Sequence, residues 1–259
     1  MADAPNKNRV MQTPRGQFLD APEALAKLRA LLKRNPVAGT GQKSDGAKVA
    51  VEIAELVTAE MMGPQGAHVE TVLAALGALA GFSVQMAIRE EFVRLGKIPL
   101  AKAFAVVTTP DGGTYYFGDL LNEGIVTSKP GQLSVWGLVA GAAQHLGAPE
   151  LPDLPEIFAH VAHTVGTASF GVPRLSPEHQ PQQLPLELLD RLWNPVRNTL
   201  AMKVASPGQW PLVLAVAAQQ SILKFKGLLE PGLAARIVME AAIPMSRVDP
   251  GRVHQAFFW

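Results

Sequence analysis

One stretch of eighteen residues, Thr71 to Ile88, contains no charged side chain, and it limits what the chain can fold into. A segment this apolar either spans a bilayer or forms the central buried helix of a helical protein. Its surroundings favour the second structure. Glu70 precedes the stretch and Arg89 follows it directly, while Ser83 and Gln85 place polar groups inside it. We therefore expect a buried central helix and no association with a membrane through this segment.

The composition indicates that helices make up most of the fold. The chain is 48% hydrophobic, 17% charged and 6% aromatic, and Ala and Leu dominate its apolar residues. Small apolar side chains are typical of closely packed helices. Gly77 and Gly81 stand four residues apart in the apolar stretch, so we expect another helix to approach its backbone there. The predicted fold is mainly α, a multi-helix globular bundle around one long apolar helix. The same glycine spacing occurs in membrane dimers, which is the alternative interpretation.

A single β-hairpin is predicted at about residues 103–117. Residues 103–109 and 114–117 alternate in polarity, and Pro110, Asp111, Gly112 and Gly113 join them. Pro fixes φ, Asp bonds its own backbone, and Gly tolerates positive φ, so this is turn chemistry. A lone hairpin is only marginally stable in water, so it must pack on helices or pair with another edge.

The remaining pattern predicts a disordered arm at residues 1–17 and a single helical domain at 18–259. Capping residues and apolar periodicity place helices at about 20–35, 47–62, 68–95, 119–124, 134–146, 153–167, 186–204, 206–228 and 231–243. Pro195 should kink or split the seventh of these. The segment 171–185 contains four prolines. It is interpreted either as a sub-domain break or as a surface loop.

Charge and cysteine content exclude several classes of function. The net charge is +1, too small to indicate nucleic-acid binding. The chain has no cysteine, which excludes disulfides, thiolate nucleophiles and cysteine-bound metal clusters. The amino terminus lacks the apolar core of a signal peptide, so a cytoplasmic location is expected. Peripheral membrane attachment is a weaker alternative, suggested by the basic residues of the first predicted helix, which are Lys27, Arg29, Lys33 and Arg34.

The polar residues of the hairpin and its exit are the first candidate site. Tyr115 and Tyr116 are adjacent, so on a strand they face opposite ways and one should be exposed. Asp119 and Asn122 share a face of the following turn, and Trp136 could line a pocket. We predict Tyr116, Asp119, Asn122 and Trp136 as ligand-binding residues. In the alternative reading they are simply a core aromatic, a cap and a turn.

Three histidines form the second candidate site. His160 and His163 are one helical turn apart, and His145 lies on the preceding predicted helix. Imidazoles at this spacing can share a metal ion, which makes the three histidines candidates for a metal site. No HExxH sequence accompanies them, and partly exposed, hydrogen-bonded histidines are the alternative. We expect no catalytic motif and no cofactor.

These observations lead to two functional hypotheses. The first is a non-catalytic cytoplasmic protein for interaction or small-ligand binding, which forms a homodimer and binds neither nucleic acid nor membranes. Its dimer interface would include the hairpin edge or the tail Phe257–Trp259, because an unpaired strand edge and a terminal aromatic cluster both favour contact with a partner. The second is an enzyme without a recognisable motif. Its site would lie near His145, His160 and His163, or near Asp119 and Asn122.

Overall fold

A computed structural model describes residues 46–127 and 132–254. The predicted arm at 1–17, the predicted helix at 20–35 and the tail Phe257–Trp259 lie outside these residues, and so does the part of the chain between 127 and 132.

Nine α-helices and two short antiparallel hairpins form the described part of the chain, so the prediction of a mainly α fold is confirmed. The helices are α1 Gly46–Glu60, α2 Val69–Ile88, α3 Leu100–Ala103, α4 Asp119–Ile125, α5 Val135–His145, α6 Leu154–Thr164, α7 Pro185–Lys203, α8 Trp210–Lys224 and α9 Pro231–Met245. The strands are β1 Met62–Gly63, β2 Gly66–Ala67, β3 Ala105–Thr108 and β4 Thr114–Phe117.

The central helix α2 is enclosed by α7, α8 and α9. Together with the π-helical turns Arg89–Leu95 that continue it, α2 is long and apolar enough to cross a membrane, but its apolar part is wholly buried inside the protein. Every α2 residue after Val69 is buried. A helix that is apolar on all sides needs neighbours on all sides, and the three enclosing helices supply them.

The close approach predicted for Gly77 and Gly81 is present, and its partner is α9. A Cβ atom on Gly77 would overlap the carbonyl group of Val238, and one on Gly81 would overlap that of Ala242. The two helices therefore touch through their backbones. Each glycine reduces intrinsic helix stability by about 1 kcal/mol relative to Ala, and the close packing offsets this.

The predicted hairpin consists of β3 and β4, paired antiparallel with Val106 opposite Tyr116. The other edge of β4 is also paired, since the Tyr116 N–H donates to the backbone oxygen of Arg247 and Tyr115 forms a bridge with Val248. The chain that follows α9 therefore fixes the hairpin to the helices. The β1–β2 hairpin was not predicted, because strands of two residues are too short to show alternation.

Pro195 does not split its helix, because α7 is continuous from residue 185 to 203. Proline removes one backbone donor inside a helix. Pro195 is exposed, so its ring meets solvent and not a packed neighbour. Of the two outcomes expected at Pro195, the split of the helix is therefore wrong, and the kink stays a prediction.

The Pro-rich segment at 171–184 lies against the helical core. Gln182 N–H donates to Thr71 Oγ1 over 2.9 Å, and His179 Nδ1 lies 2.9 Å from Glu70 Oε1, so the segment is bonded to the start of α2. Arg174 bonds Glu240 of α9. These bonds attach the segment at both of its ends.

Candidate ligand-binding site

The structure connects two of the four predicted ligand-binding residues through Arg247. Tyr115 and Tyr116 are both buried, so the prediction that one of them is exposed was wrong. Phe170 covers the ring of Tyr115, and the guanidinium carbon of Arg89 lies 4.3 Å from the centroid of the Tyr116 ring. Asn122 accepts a hydrogen bond of 2.5 Å from Arg247 Nη2. Since the backbone oxygen of Arg247 also accepts from Tyr116, one residue joins β4 to α4. Asp119 is exposed at the start of α4, and Trp136 is half-buried on α5 against the core.

Arg247 is the most unusual side chain of this region. It is 1% exposed and lies between the rings of Phe117 and Phe158, at 5.3 and 5.7 Å from their centroids. Burial lowers the pKa of Arg247 to about 10. Its Nε and Nη1 atoms are buried, and no described residue bonds them. Sequence reasoning missed this residue, because an arginine just after a helix is usually solvated.

A second region combines two of the predicted histidines. His160 and His163 line an open groove of about 590 Å³ along α6. Glu156, Ala159 and Thr164 of α6 contribute to the same groove, as do Thr167, Ser169 and Arg174 from the loop that follows it. His145 is not part of this groove and is exposed at the end of α5. Among the residues that the structure describes, no three His, Asp or Glu side chains are close enough to hold a metal ion.

Four charged side chains form an ion network at one end of the groove. Arg174 Nη1 donates to Glu156 Oε1 over 2.8 Å, and Arg174 Nη2 donates to Glu240 Oε1 over 3.1 Å. Arg236 Nη2 lies 3.6 Å from Glu156 Oε2 and 3.4 Å from Glu240 Oε1. Each guanidinium therefore contacts both carboxylates. The network fixes the position of Arg174 on the groove wall.

Burial and the neighbouring charge of Arg174 lower the pKa of His160, with burial as the larger cause. Its imidazole is therefore neutral at neutral pH and presents one donor and one acceptor. The neighbouring hydroxyl groups bond the backbone, since Thr164 Oγ1 donates to the His160 carbonyl over 2.9 Å and Thr167 Oγ1 to the Thr164 carbonyl over 2.8 Å. No hydroxyl is hydrogen-bonded to the His160 ring within the described ranges.

The hairpin supports the loop that lines the groove. Phe170 packs edge-on against Tyr115, with 4.8 Å between ring centroids. Gly166, whose φ is 76°, adjoins Thr109 so closely that a Cβ atom there would overlap the threonine side chain. The two candidate regions are therefore parts of one packed unit. Sequence reasoning could not foresee the ion network, because Arg174 and Glu240 are far apart in the chain.

Comparison of the chain with protein-family models, with curated proteins and with solved structures finds no match. A functional assignment must therefore come from the groove itself.

Proposed function

We propose that this protein is a non-catalytic, cytoplasmic small-ligand-binding protein and that its ligand binds in the α6 groove. The observation that carries this proposal is the ion network. It holds the Arg174 guanidinium in place on an open concave surface that also presents a neutral imidazole. Polar groups fixed in advance by their neighbours bind a ligand with little loss of side-chain entropy.

Binding is favoured over catalysis because the described residues that line the groove include no hydroxyl group paired with a base. A hydroxyl nucleophile is activated by a base within about 3 Å of it. In the described part of the chain, the rings of His160 and His163 bond no hydroxyl or carboxylate, and the nearby threonine hydroxyls donate to backbone oxygens. The alternative, an enzyme with its site near these histidines, would need the substrate to supply the missing partner.

A substitution that fills the groove tests the proposal. Ala159 is exposed on α6 and lines the groove, so Ala159→Phe places a ring in it without removing a polar group. We expect fragments found by NMR screening to shift the amides of α6 and of the following loop. Their affinity should fall roughly tenfold in Ala159→Phe, since the ring blocks contact with the groove wall.

The matched control is Ala59→Phe, which introduces the same ring at an exposed position of α1. It should leave fragment binding unchanged. If Ala159→Phe retained full affinity, or if the fragments shifted amides elsewhere, the α6 groove would not be the binding site.

We also propose that the protein forms a homodimer through the open edge of β3. In the part of the chain that the structure describes, β3 pairs with β4 on one side and with no strand on the other. Val106 on this strand is 47% exposed. An open apolar edge favours pairing with another strand, and a second copy of the same edge can satisfy it by twofold symmetry.

Light scattering tests the dimer. We expect the wild-type protein to have twice the mass of one chain. Val106→Lys should shift it to the monomer, because charged side chains oppose edge pairing. A wild-type protein that remains monomeric at high concentration would contradict the proposal, and so would a Val106→Lys dimer as tight as the wild-type one.

The cytoplasmic location is part of the same proposal. The apolar surface of α2 is covered by other helices of the same chain, so this helix has no apolar face left for lipid. Cell fractionation provides the test. Recovery of the protein only in detergent-solubilised membranes would contradict this part of the proposal.

A further inference from the structure

The two carboxylates of the ion network differ in their exposure to solvent. Glu240 is 2% exposed, and in addition to the guanidinium groups it accepts the backbone N–H of Arg174 over 3.4 Å. The side chain of Glu156 is 48% exposed and stands at the entrance to the groove. Glu240 is therefore a fixed part of the site, whereas Glu156 can leave it by a rotation of its side chain.

Departure of Glu156 would change the charge of the site. Arg174 and Arg236 would then share one buried carboxylate, which leaves a local excess of one positive charge. An ion pair with a solvent-exposed partner contributes at most about 1 kcal/mol, so another carboxylate can compete with Glu156 for the same guanidinium groups. The planar arginine fork matches a carboxylate in geometry as well as in charge.

We infer that the ligand of the groove is a small organic carboxylate, which bonds Arg174 and Arg236 in the place that Glu156 occupies in this structure. This inference rests on the proposed function and names its ligand class. The body of the ligand would lie along α6 towards His160. The neutral imidazole there adds no repulsion and can donate a hydrogen bond or accept one.

Three variants test the inference. Glu156→Gln removes the competing carboxylate and should bind propionate or succinate on the order of fivefold more tightly than the wild type does. Arg236→Gln removes one of the two guanidinium groups and leaves Glu240 paired with Arg174. It should weaken the binding of both acids. Glu55→Gln, on an exposed face of α1, makes the same change in net charge as Glu156→Gln and should bind like the wild type.

The probes are propionate and succinate, compared with the uncharged propionamide and succinamide by NMR titration of the amides of α6 and of the loop. We expect propionate and succinate to shift the backbone amide signals of α6 and of the loop. Propionamide and succinamide, which have the same shape but no charge, should not shift them. Equal binding of the two acids and of their uncharged amide analogues would overturn the carboxylate inference and leave the proposed function intact. An unchanged affinity in Glu156→Gln would also overturn it. A groove that responds to no fragment of any charge would overturn the proposed function itself.

Discussion

Gly81→Ala should destabilise the protein by about 3 kcal/mol, because the added methyl group has no space between α2 and α9. Its Cβ atom would overlap the carbonyl of Ala242, which is backbone and cannot rotate away. Relief requires the two helices to separate along their most extensive contact. Overpacking of this kind typically destabilises a protein by 1–3 kcal/mol, and a backbone clash belongs at the upper end.

Gly141→Ala is the matched control and should have the opposite effect. Gly141 is also a helical glycine, in α5, but no described atom outside the neighbouring backbone of its own helix lies within 4 Å of the position its Cβ would take. Alanine there should stabilise the protein by about 0.5–1 kcal/mol, through helix propensity and the lower entropy of the unfolded chain. Urea unfolding of both variants at neutral pH measures the difference. Similar effects of the two substitutions would mean that α2 and α9 are not in backbone contact.

The central part of the fold could be predicted because it follows from local patterns. An uncharged eighteen-residue stretch must be covered by lipid or by protein, and its charged flanks and internal polar residues favoured protein. Glycines spaced four apart mark the face at which a second helix approaches. The identity of that helix could not be predicted. Gly81 meets Ala242, and no feature of α9 distinguishes it in sequence from α8, which is equally apolar.

Polar contacts between distant segments were the least predictable. Gln85 lies in the apolar helix α2 and Gln219 in the apolar helix α8. Gln85 donates to the backbone oxygens of Ser246 and Val248, while Gln219 donates to that of Leu138. A buried amide takes the nearest free carbonyl, and the fold alone decides which one that is.

The candidate site was only partly visible in the sequence for the same reason. Helical spacing correctly places His160 and His163 on one face of α6, and both line the groove. The spacing of residues within α6 cannot predict the position of Arg174, which lies in a loop, or of Glu240, which lies in another helix. His145 was grouped with the other histidines only because it precedes them in the chain.

Arg247→Met should stabilise the protein by about 1–2 kcal/mol at neutral pH, although it removes a hydrogen bond. The fall of the Arg247 pKa to about 10 corresponds to roughly 3 kcal/mol of unfavourable burial of the charge. The lost bond to Asn122 offsets about half of this gain. Methionine replaces most of the alkyl chain that packs between Phe117 and Phe158, so little cavity remains. Arg247→Ala lacks that packing and should be about 2–3 kcal/mol less stable than Arg247→Met.

The pH dependence of the difference in stability between Arg247→Met and the wild type identifies the charge of Arg247 as its cause. The pKa of Arg247 is lower in the folded protein than in the unfolded chain, so the unfolded chain holds the proton more tightly. Below pH 10 both states are protonated and the full penalty is present. Above pH 10 the folded protein loses the proton first and the penalty falls. Urea unfolding should therefore show a constant advantage for Arg247→Met between about pH 7 and 9 and a smaller one near pH 11.

Arg252→Met serves as the control, since it replaces an exposed arginine of the same segment, and the loss of its 3.2 Å bond to the Tyr115 hydroxyl should lower the stability by about 1 kcal/mol and not raise it. If Arg247→Met instead lowered the free energy of unfolding by more than about 2 kcal/mol, the buried cation would have to be stabilised by another group in addition to Asn122. Its unbonded Nε and Nη1 atoms would then mark the position of an anion taken up from solution, because within the described ranges no carboxylate pairs with this guanidinium.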